Sequence, residues 1–454
     1  MRFRIRDHGL FIGILLAFSL LLGSFSAVHA DLWWDSSVYV GMGKYLYSGG
    51  ESGLYEDARP VVWPLLLGLF WKLGLDAVLF GKVLLGLFSV GSVVLTYLLG
   101  LRLFSKRVAL MGSFFLALNS TFFLFSTVLH SEIPSLFFLL LGVYLLALGR
   151  YGFSGLALGV ATMTRFFHLV VALGVGGYLI YLYSKKRVSL KELEWFGGGF
   201  SVPVILFLVY SFVRHGSFLY PFVLQAWMTR HTGWIFHQGF GSYFEGLWLA
   251  NVLVVFSLWG LYACYKQKKY LVLVLFAVSF LPFLLTAHKE MRIIIQALPF
   301  LFLLAGAGIV SLVDRLKGRR VVLVLVLLVF LVQALPQLEG NRYAAGMGEF
   351  SAYLEEVPVD ESVWITNPGF VAGSDHAAVL MYYPLYSSER IAELREDVSD
   401  ADHVLISSCD VLPCPESDVD CEQNHAAFLL SLESSHRLVH DDVVDGCEQR
   451  IYTR

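Results

Sequence analysis

The chain has 454 residues, of which 57% are hydrophobic and 15% charged, with a formal net charge of −3 and a mean hydropathy of +0.67. Soluble domains carry charge on about a quarter of their residues, so this composition excludes an ordinary soluble protein and points to a polytopic membrane chain. The charges are segregated by region, so the small net value says nothing about partners, and nothing in the sequence points to nucleic acid.

Crossing a hydrocarbon core of ~30 Å takes roughly 17–25 apolar residues. In chain order the apolar stretches lie near 9–27, 78–101, 108–126, 133–149, 152–164, 167–183, 196–213, 244–264, 270–287, 293–312 and 321–336, which predicts about eleven transmembrane helices. Residues 61–76 read instead as an interfacial or half-inserted helix, because two crossings within 61–101 would strand Arg102, Lys106 and Arg107 on the outer side. Val28-His29-Ala30 resembles a signal cleavage site, but 9–27 is read as the first span, and either reading leaves the following loop outside. Basic clusters before the first span, at Arg102–Arg107, at Arg150, at Lys185–Lys191, at Lys266–Lys269 and at Arg315–Arg320 all fall on one side. By the positive-inside rule that side is the cytoplasm, together with the N-terminus. The loop 28–60, His130 with Glu132, the 214–243 loop, His288–Arg292 and the tail then face outward, across a plasma membrane or an ER-type membrane.

Composition turns polar and acidic after Gln333-Ala334-Leu335-Pro336, giving a membrane domain over 1–336 and an extracytoplasmic domain over 337–454. The tail alternates strand-like runs (Ser362–Thr366, His403–Ser407, Arg437–Val444) with helix-like ones (Gly346–Glu356, Ser388–Asp397, His425–Ser434), which predicts a small α/β domain. Four of the five cysteines, Cys409, Cys414, Cys421 and Cys447, lie there, suggesting two disulfides in an oxidising compartment with three pairings open. Cys264 stands apart at the end of an apolar run. No repeat or low-complexity segment is evident.

Five polar groupings fall at outer membrane ends. The first is Asp35, preceded by Trp33 and Trp34 and followed a turn later by Tyr39. The run Trp34–Tyr47 reads as an amphipathic helix along the interface, where a carboxylate beside aromatic surface can act as general base toward a hydroxyl. Asp31, Glu51, Glu56 and Asp57 read as solvated loop acids. The second grouping is His130-Ser131-Glu132-Ile133-Pro134, where Ser131 suits a helix cap and the His–carboxylate pair suits a site. The third is Thr164-Arg165-Phe166-Phe167-His168, ionisable groups in an apolar setting that face a cavity or partner, or snorkel outward. The fourth is His288-Lys289-Glu290-Met291-Arg292, in which Lys289 and Arg292 are spaced to share a helix face and approach one phosphate. The fifth, the 214–243 loop with Tyr220, Trp227, Arg230, His231 and Trp234, reads mainly as an interfacial aromatic belt.

These residues resemble the multi-spanning GT-C glycosyltransferases that use lipid-phosphate sugars, a group that includes protein O-mannosyltransferases, lipid A aminoarabinose transferases and the GPI and N-glycan mannosyltransferases. Asp35 looks like their first-loop catalytic aspartate. Arg59-Pro60-Val61-Val62-Trp63-Pro64-Leu65 is similar to the proline-rich segment after that loop, and Glu132 matches the second acidic position. His288-Lys289-Glu290-Met291-Arg292 is similar to the mannosyltransferase signature, with Ile293 where an aromatic residue is usual. The resemblance covers roughly residues 10–312.

It implies a GT-C fold and transfer of a sugar, mannose-like in preference, from a polyprenyl or dolichyl phosphate to a lipid, glycan or protein acceptor, with inversion. Asp35 and Glu132 would be the catalytic acids, and Lys289, Arg292 and Arg165 would bind the donor phosphate. His130, His288 and Glu290 would shape the site or carry a divalent metal ion, which is compatible with these side chains and not required by them. The rival readings are a transporter or flippase of lipid-linked substrates and a non-catalytic assembly subunit. Transporters concentrate ionisable groups near the midplane, whereas these charges gather at outer helix ends.

Overall fold

The computed structural model describes residues 8–28, 32–232, 236–286, 288–316, 319–338, 348–381, 394–410, 419–444 and 446–454. Helices dominate up to residue 334: α1 (Gly9–Val28), α2 (Trp34–Ser48), α3 (Val62–Lys72), α4 (Ala77–Leu103), α5 (Lys106–Ala117), α6 (Ser120–Phe125), α7 (Glu132–Ala147) and α8 (Tyr151–Thr164). They continue as α9 (His168–Ser184), α10 (Leu190–His215), α11 (Tyr220–Thr232), α12 (Ser242–Ala250), α13 (Phe256–Lys266), α14 (Tyr270–Leu284), α15 (Leu298–Val313) and α16 (Arg319–Ala334). After these come α17 (Gly348–Glu356), α18 (Val419–Ser435) and, among the described residues, five strands.

Among the described residues, five helical stretches are long and apolar enough to cross a membrane: Gly9–Ser26, Ala77–Leu103, Leu190–His215, Met291–Val313 and Val321–Leu338. Other expected spans are shorter apolar helices, among them Glu132–Ala147, His168–Ser184 and Tyr270–Leu284. Met291–Val313 is the buried centre of its bundle, with 94% of its window covered, where the other four are mostly 17% covered. A helix apolar on every side belongs in the middle of a bundle, and small residues let neighbours approach it. At Gly260 of α13 an added Cβ would collide with the Leu304 carbonyl of α15. The 214–243 stretch, expected as a loop, is helical over α11, and the side chains of Arg230 and His231 and all of Trp234 lie outside the described residues.

The chain divides into two compact units. One comprises residues 1–30, 82–219 and 235–341 and holds most of the helices; the other comprises 31–81, 220–234 and 342–454. In the second unit the strands are β1 (Val363–Ile365), β2 (Ala378–Leu380), β3 (His403–Ser407), β4 (Arg437–Val444) and β5 (Cys447–Thr453). They form one sheet in the order β2-β1-β3-β5-β4, with β1 parallel to both β2 and β3 and β5 antiparallel to β3 and β4. A disulfide joins Cys409 to Cys447, Cys421 is also disulfide-bonded, and Cys414 lies outside the described residues.

The first loop folds with this sheet. Val38 and Met42 of α2 and Leu54 share one buried cluster with Val363, Ile365, Val371, Leu380 and Leu405, each such burial being worth about 1.5–3 kcal/mol. Gly53 donates its amide to the His376 carbonyl, and Ala378 returns the bond to Gly53. Residues Ser36 through Lys44 of α2 are buried without interruption, so α2 is enclosed on every face and does not lie as a half-exposed amphipathic helix. It crosses α3 where Gly43 meets Gly68, so closely that a Cβ on either would enter the other's backbone.

Candidate active site

The singled-out residues form two groups, one in each unit. In the second unit α2 opens at Trp34, and Asp35 sits in its first turn, where a negative charge favours the helix dipole. Arg59 Nη2 donates to Asp35 Oδ1 at 2.7 Å and Arg59 Nε to Glu56 Oε2 at 2.6 Å. The Arg59 guanidinium lies 5.8 Å from the Trp34 ring centroid and 5.0 Å from that of Tyr39, within cation–π range. Glu56 is 3% exposed, which corrects its reading as a solvated loop acid: it is the buried partner of Arg59. Asp31 lies outside the described residues.

In the first unit the centre is Glu132, the first residue of α7, its side chain 2% exposed. Arg165 Nη1 is 2.8 Å from Glu132 Oε1, Arg292 Nη1 is 4.0 Å from the same oxygen, and His130 Nδ1 is 3.8 Å from Oε2. Arg165 reaches Glu132 because α8 stops at Thr164 and Arg165 itself takes an extended conformation. Its guanidinium also donates to Ser131 Oγ at 3.3 Å and lies 5.3 Å from the Phe167 ring centroid. Ser131 occupies the cap position of α7 but makes no side-chain cap bond; its hydroxyl is turned to Arg165 instead. His168 opens α9, buried, with neither ring nitrogen hydrogen-bonded among the described residues.

Met291–Ala297 is a 3₁₀ helix, preceded by extended chain at Glu290. Arg292 Nη2 donates to Glu290 Oε1 at 2.9 Å, and His288 Nε2 meets the same oxygen at 2.6 Å. Burial alone would raise the Glu290 carboxyl, but the His288 hydrogen bond and the Arg292 charge hold it down at about 2. His288 in turn stacks on Phe236, ring centroids 4.5 Å apart. Lys289 and Arg292 do not share a helix face, because Lys289 lies in the extended segment before the 3₁₀ turn. Its buried ammonium donates to the carbonyls of Gln238 (3.0 Å) and Thr286, and its amide to that of Phe236. Lys289 therefore fastens the 236–238 loop.

The first group offers a carboxylate set in an aromatic and guanidinium surround, suited to holding a base. The second offers two guanidiniums around one buried carboxylate, a place for a doubly charged anion that keeps its cations ordered beforehand. Among the described residues no three His, Cys, Asp or Glu side chains converge as a metal ion requires, so no step is assigned to a metal. Neither Arg59 nor Lys44 stands out as a functional residue in the sequence. Arg59 sits 24 residues from Asp35, and its only sequence signal was its place in the Arg-Pro motif.

The helical bundle, the folded 32–60 loop and the C-terminal α/β unit share the GT-C fold of solved structures. No family model matches the chain. An uncharacterized protein of Aquifex aeolicus (strain VF5) is 26% identical over 231 residues, 49% of this chain and 48% of that protein, so the match spans about half the length of that curated relative. Among solved structures, ArnT from Cupriavidus metallidurans bound to undecaprenyl phosphate superposes with a TM-score of 0.68 at 11% identity, over 98% of each chain. The Archaeoglobus fulgidus oligosaccharyltransferase AglB, in complex with an inhibitory peptide and a dolichol-phosphate, gives 0.58 at 10% identity, over 88% of this chain and 69% of that one. The mycobacterial arabinofuranosyltransferase AftD gives 0.56 at 12% identity, over 100% of this chain and 40% of that one. At such identities the likeness defines the fold and nothing finer.

Proposed function

We propose that the chain is an integral-membrane glycosyltransferase that moves a sugar, a mannose-like hexose first among candidates, from a polyprenyl or dolichyl phosphate. The acceptor is a hydroxyl of a lipid, a lipid-linked glycan or a protein on the extracytoplasmic face. The observation that carries this reading is the full-length likeness to ArnT holding undecaprenyl phosphate, whose ligand pairs a long apolar tail with one phosphate. A chain of about eleven crossings with its tail outward would give such a lipid a groove.

In this reading Asp35 takes the acceptor's hydroxyl proton as that oxygen attacks the anomeric carbon. The bond from that carbon to the phosphate oxygen breaks, its electron pair stays on the phosphate, and the anomeric centre inverts. Charge therefore grows on the phosphate, and Arg165 and Arg292 are the groups to meet it. Glu132 and Glu290 keep both guanidiniums ordered until the phosphate arrives, with His130 and His288 packed behind them. Lys289, turned to the loop carbonyls, holds the frame from which Arg292 projects. The C-terminal unit recognises the acceptor or assists assembly.

The test is sugar transfer by purified wild type and Asp35→Asn in lipid, with labelled polyprenyl-phosphate mannose, glucose and aminoarabinose and membrane extract as acceptor. Wild type should transfer from one donor, and a folded Asp35→Asn protein should lose about 10²–10⁴-fold in rate, the usual worth of a general base. Equal rates would remove Asp35 from the mechanism. No transfer from any donor would sink the reading as a whole.

A further inference from the structure

Arg59 is a cation in direct contact with Asp35, and its side chain is held on several sides. Its side chain bonds two carboxylates, Asp35 at 2.7 Å and the buried Glu56 at 2.6 Å. Its guanidinium is flanked by Trp34 and Tyr39, and its amide closes a turn onto the Glu56 carbonyl at 3.2 Å. Four groups thus hold a side chain that ordinarily carries about 2 kcal/mol of rotamer entropy, and the backbone turn fixes its root. Trp34 adjoins Asp35 in sequence, so the same cage orients the backbone from which the acid projects.

We infer that Arg59 is a positioning residue for Asp35: it fixes the carboxylate's orientation through Oδ1 and sets its basicity, while Glu56 tunes Arg59 by sharing its charge. The inference rests on the reading of Asp35 as base. A guanidinium at hydrogen-bond distance lowers a neighbouring Asp pKa by roughly 1–3 units, and a nearby carboxylate raises it. Removing Arg59 and removing the charge of Glu56 therefore act on Asp35 in opposite directions.

Among the described residues, other charged groups lie on α2 and on the elements packed on it. Lys72 of α3 bonds the Tyr47 carbonyl at the far end of α2, and the 3₁₀ turn Gly369–Ala372 carries none. Lys44 of α2 is paired with Asp375, and the connecting loop contributes Glu51 and Asp57 besides the pair discussed.

The experiment measures the pH profile of sugar transfer by the full chain in lipid, for wild type, Arg59→Gln, Arg59→Lys and Glu56→Gln, with the donor on which wild type is active. Arg59→Gln should move the acid limb of kcat up by at least about one pH unit and lower the plateau. Glu56→Gln should move the same limb down, because Arg59 then serves Asp35 alone. Arg59→Lys should keep the wild-type limb, since charge is retained, with a reduced kcat, since the planar fork is lost. A purely structural role would lower activity in all three with the limb unmoved. That result, or a rise in donor KM alone, overturns the inference while leaving transfer by wild type intact. An inactive wild type overturns the parent reading, and this inference with it. If Arg59→Gln fails to fold, the opposite or absent shift in Glu56→Gln decides the matter.

Discussion

Lys44 is where the helix that carries Asp35 is fastened to the 371–375 segment. Its ammonium, in a residue 4% exposed, donates to the Val371 carbonyl at 3.1 Å, the Ser374 carbonyl at 2.8 Å and Asp375 Oδ1 at 3.4 Å. Burial lowers its pKa from the usual lysine value, and the Asp375 charge restores part of it. Lys44→Met keeps the unbranched stem and removes all three bonds. The Val371 carbonyl, in a residue 1% exposed, is then stranded at about 1–3 kcal/mol, whereas the half-exposed Ser374 and exposed Asp375 can turn to water. Methionine also avoids the ammonium's desolvation, so the net local loss is about 2 kcal/mol, or roughly 30-fold in an opening equilibrium. Amide hydrogen exchange on the purified protein in lipid should quicken by about that factor over 34–48 and 371–378, with 298–313 unchanged, and sugar transfer should fall alongside. Unaltered exchange at 371–378 would refute the view that this lysine ties the two segments together.

The remaining predictions concern the first unit. Arg165→Ala and Arg292→Ala should each cut transfer by about 10²–10³-fold, the usual cost of losing a preorganised donor to developing charge, and should weaken retention of labelled polyprenyl phosphate. Variants that lose neither rate nor binding would take the phosphate away from this cluster. Glu290, whose folded pKa is depressed from 4.5 to about 2, contributes stability that is present above its unfolded pKa and lost as pH falls through the interval between the two. At about 1.4 kcal/mol per pH unit, that contribution is on the order of 3 kcal/mol. Wild type should therefore lose thermal stability between pH 4.5 and 2 more steeply than Glu290→Gln, and parallel melting curves would count against the His288–Glu290–Arg292 network.

The polar cluster of the first unit is legible in the sequence because ionisable side chains stand out against apolar sequence. Glu132, Arg165, Arg292, His130, His288 and Glu290 stand at the ends of hydrophobic runs, and the fold brings all six into one unit, several of them in direct contact. Lys289 was grouped with them on helical spacing, but the chain there is extended and its ammonium is spent on carbonyls, which local spacing cannot reveal. In the tail, β3 and β4 were read at their bounds from apolar and β-branched runs. The strand Ala378–Leu380 is too short to signal, and Cys447–Thr453 is too polar, since its partners and not its own pattern make it a strand.

By itself, the sequence determined that this is a membrane chain with an α/β tail, because burial in lipid demands long apolar runs and a charged boundary marks their end. Charges in those surroundings are costly, so it also determined where chemistry could be. Only the tertiary structure decided which of them meet. It set Arg59 between Asp35 and Glu56, turned Ser131 from cap to Arg165 partner, enclosed α2 against the sheet, and joined Cys409 to Cys447. Each of these is a contact between residues far apart along the chain or a choice between equivalent partners, and the free energy that selects it comes from packing the whole unit, which no local window contains.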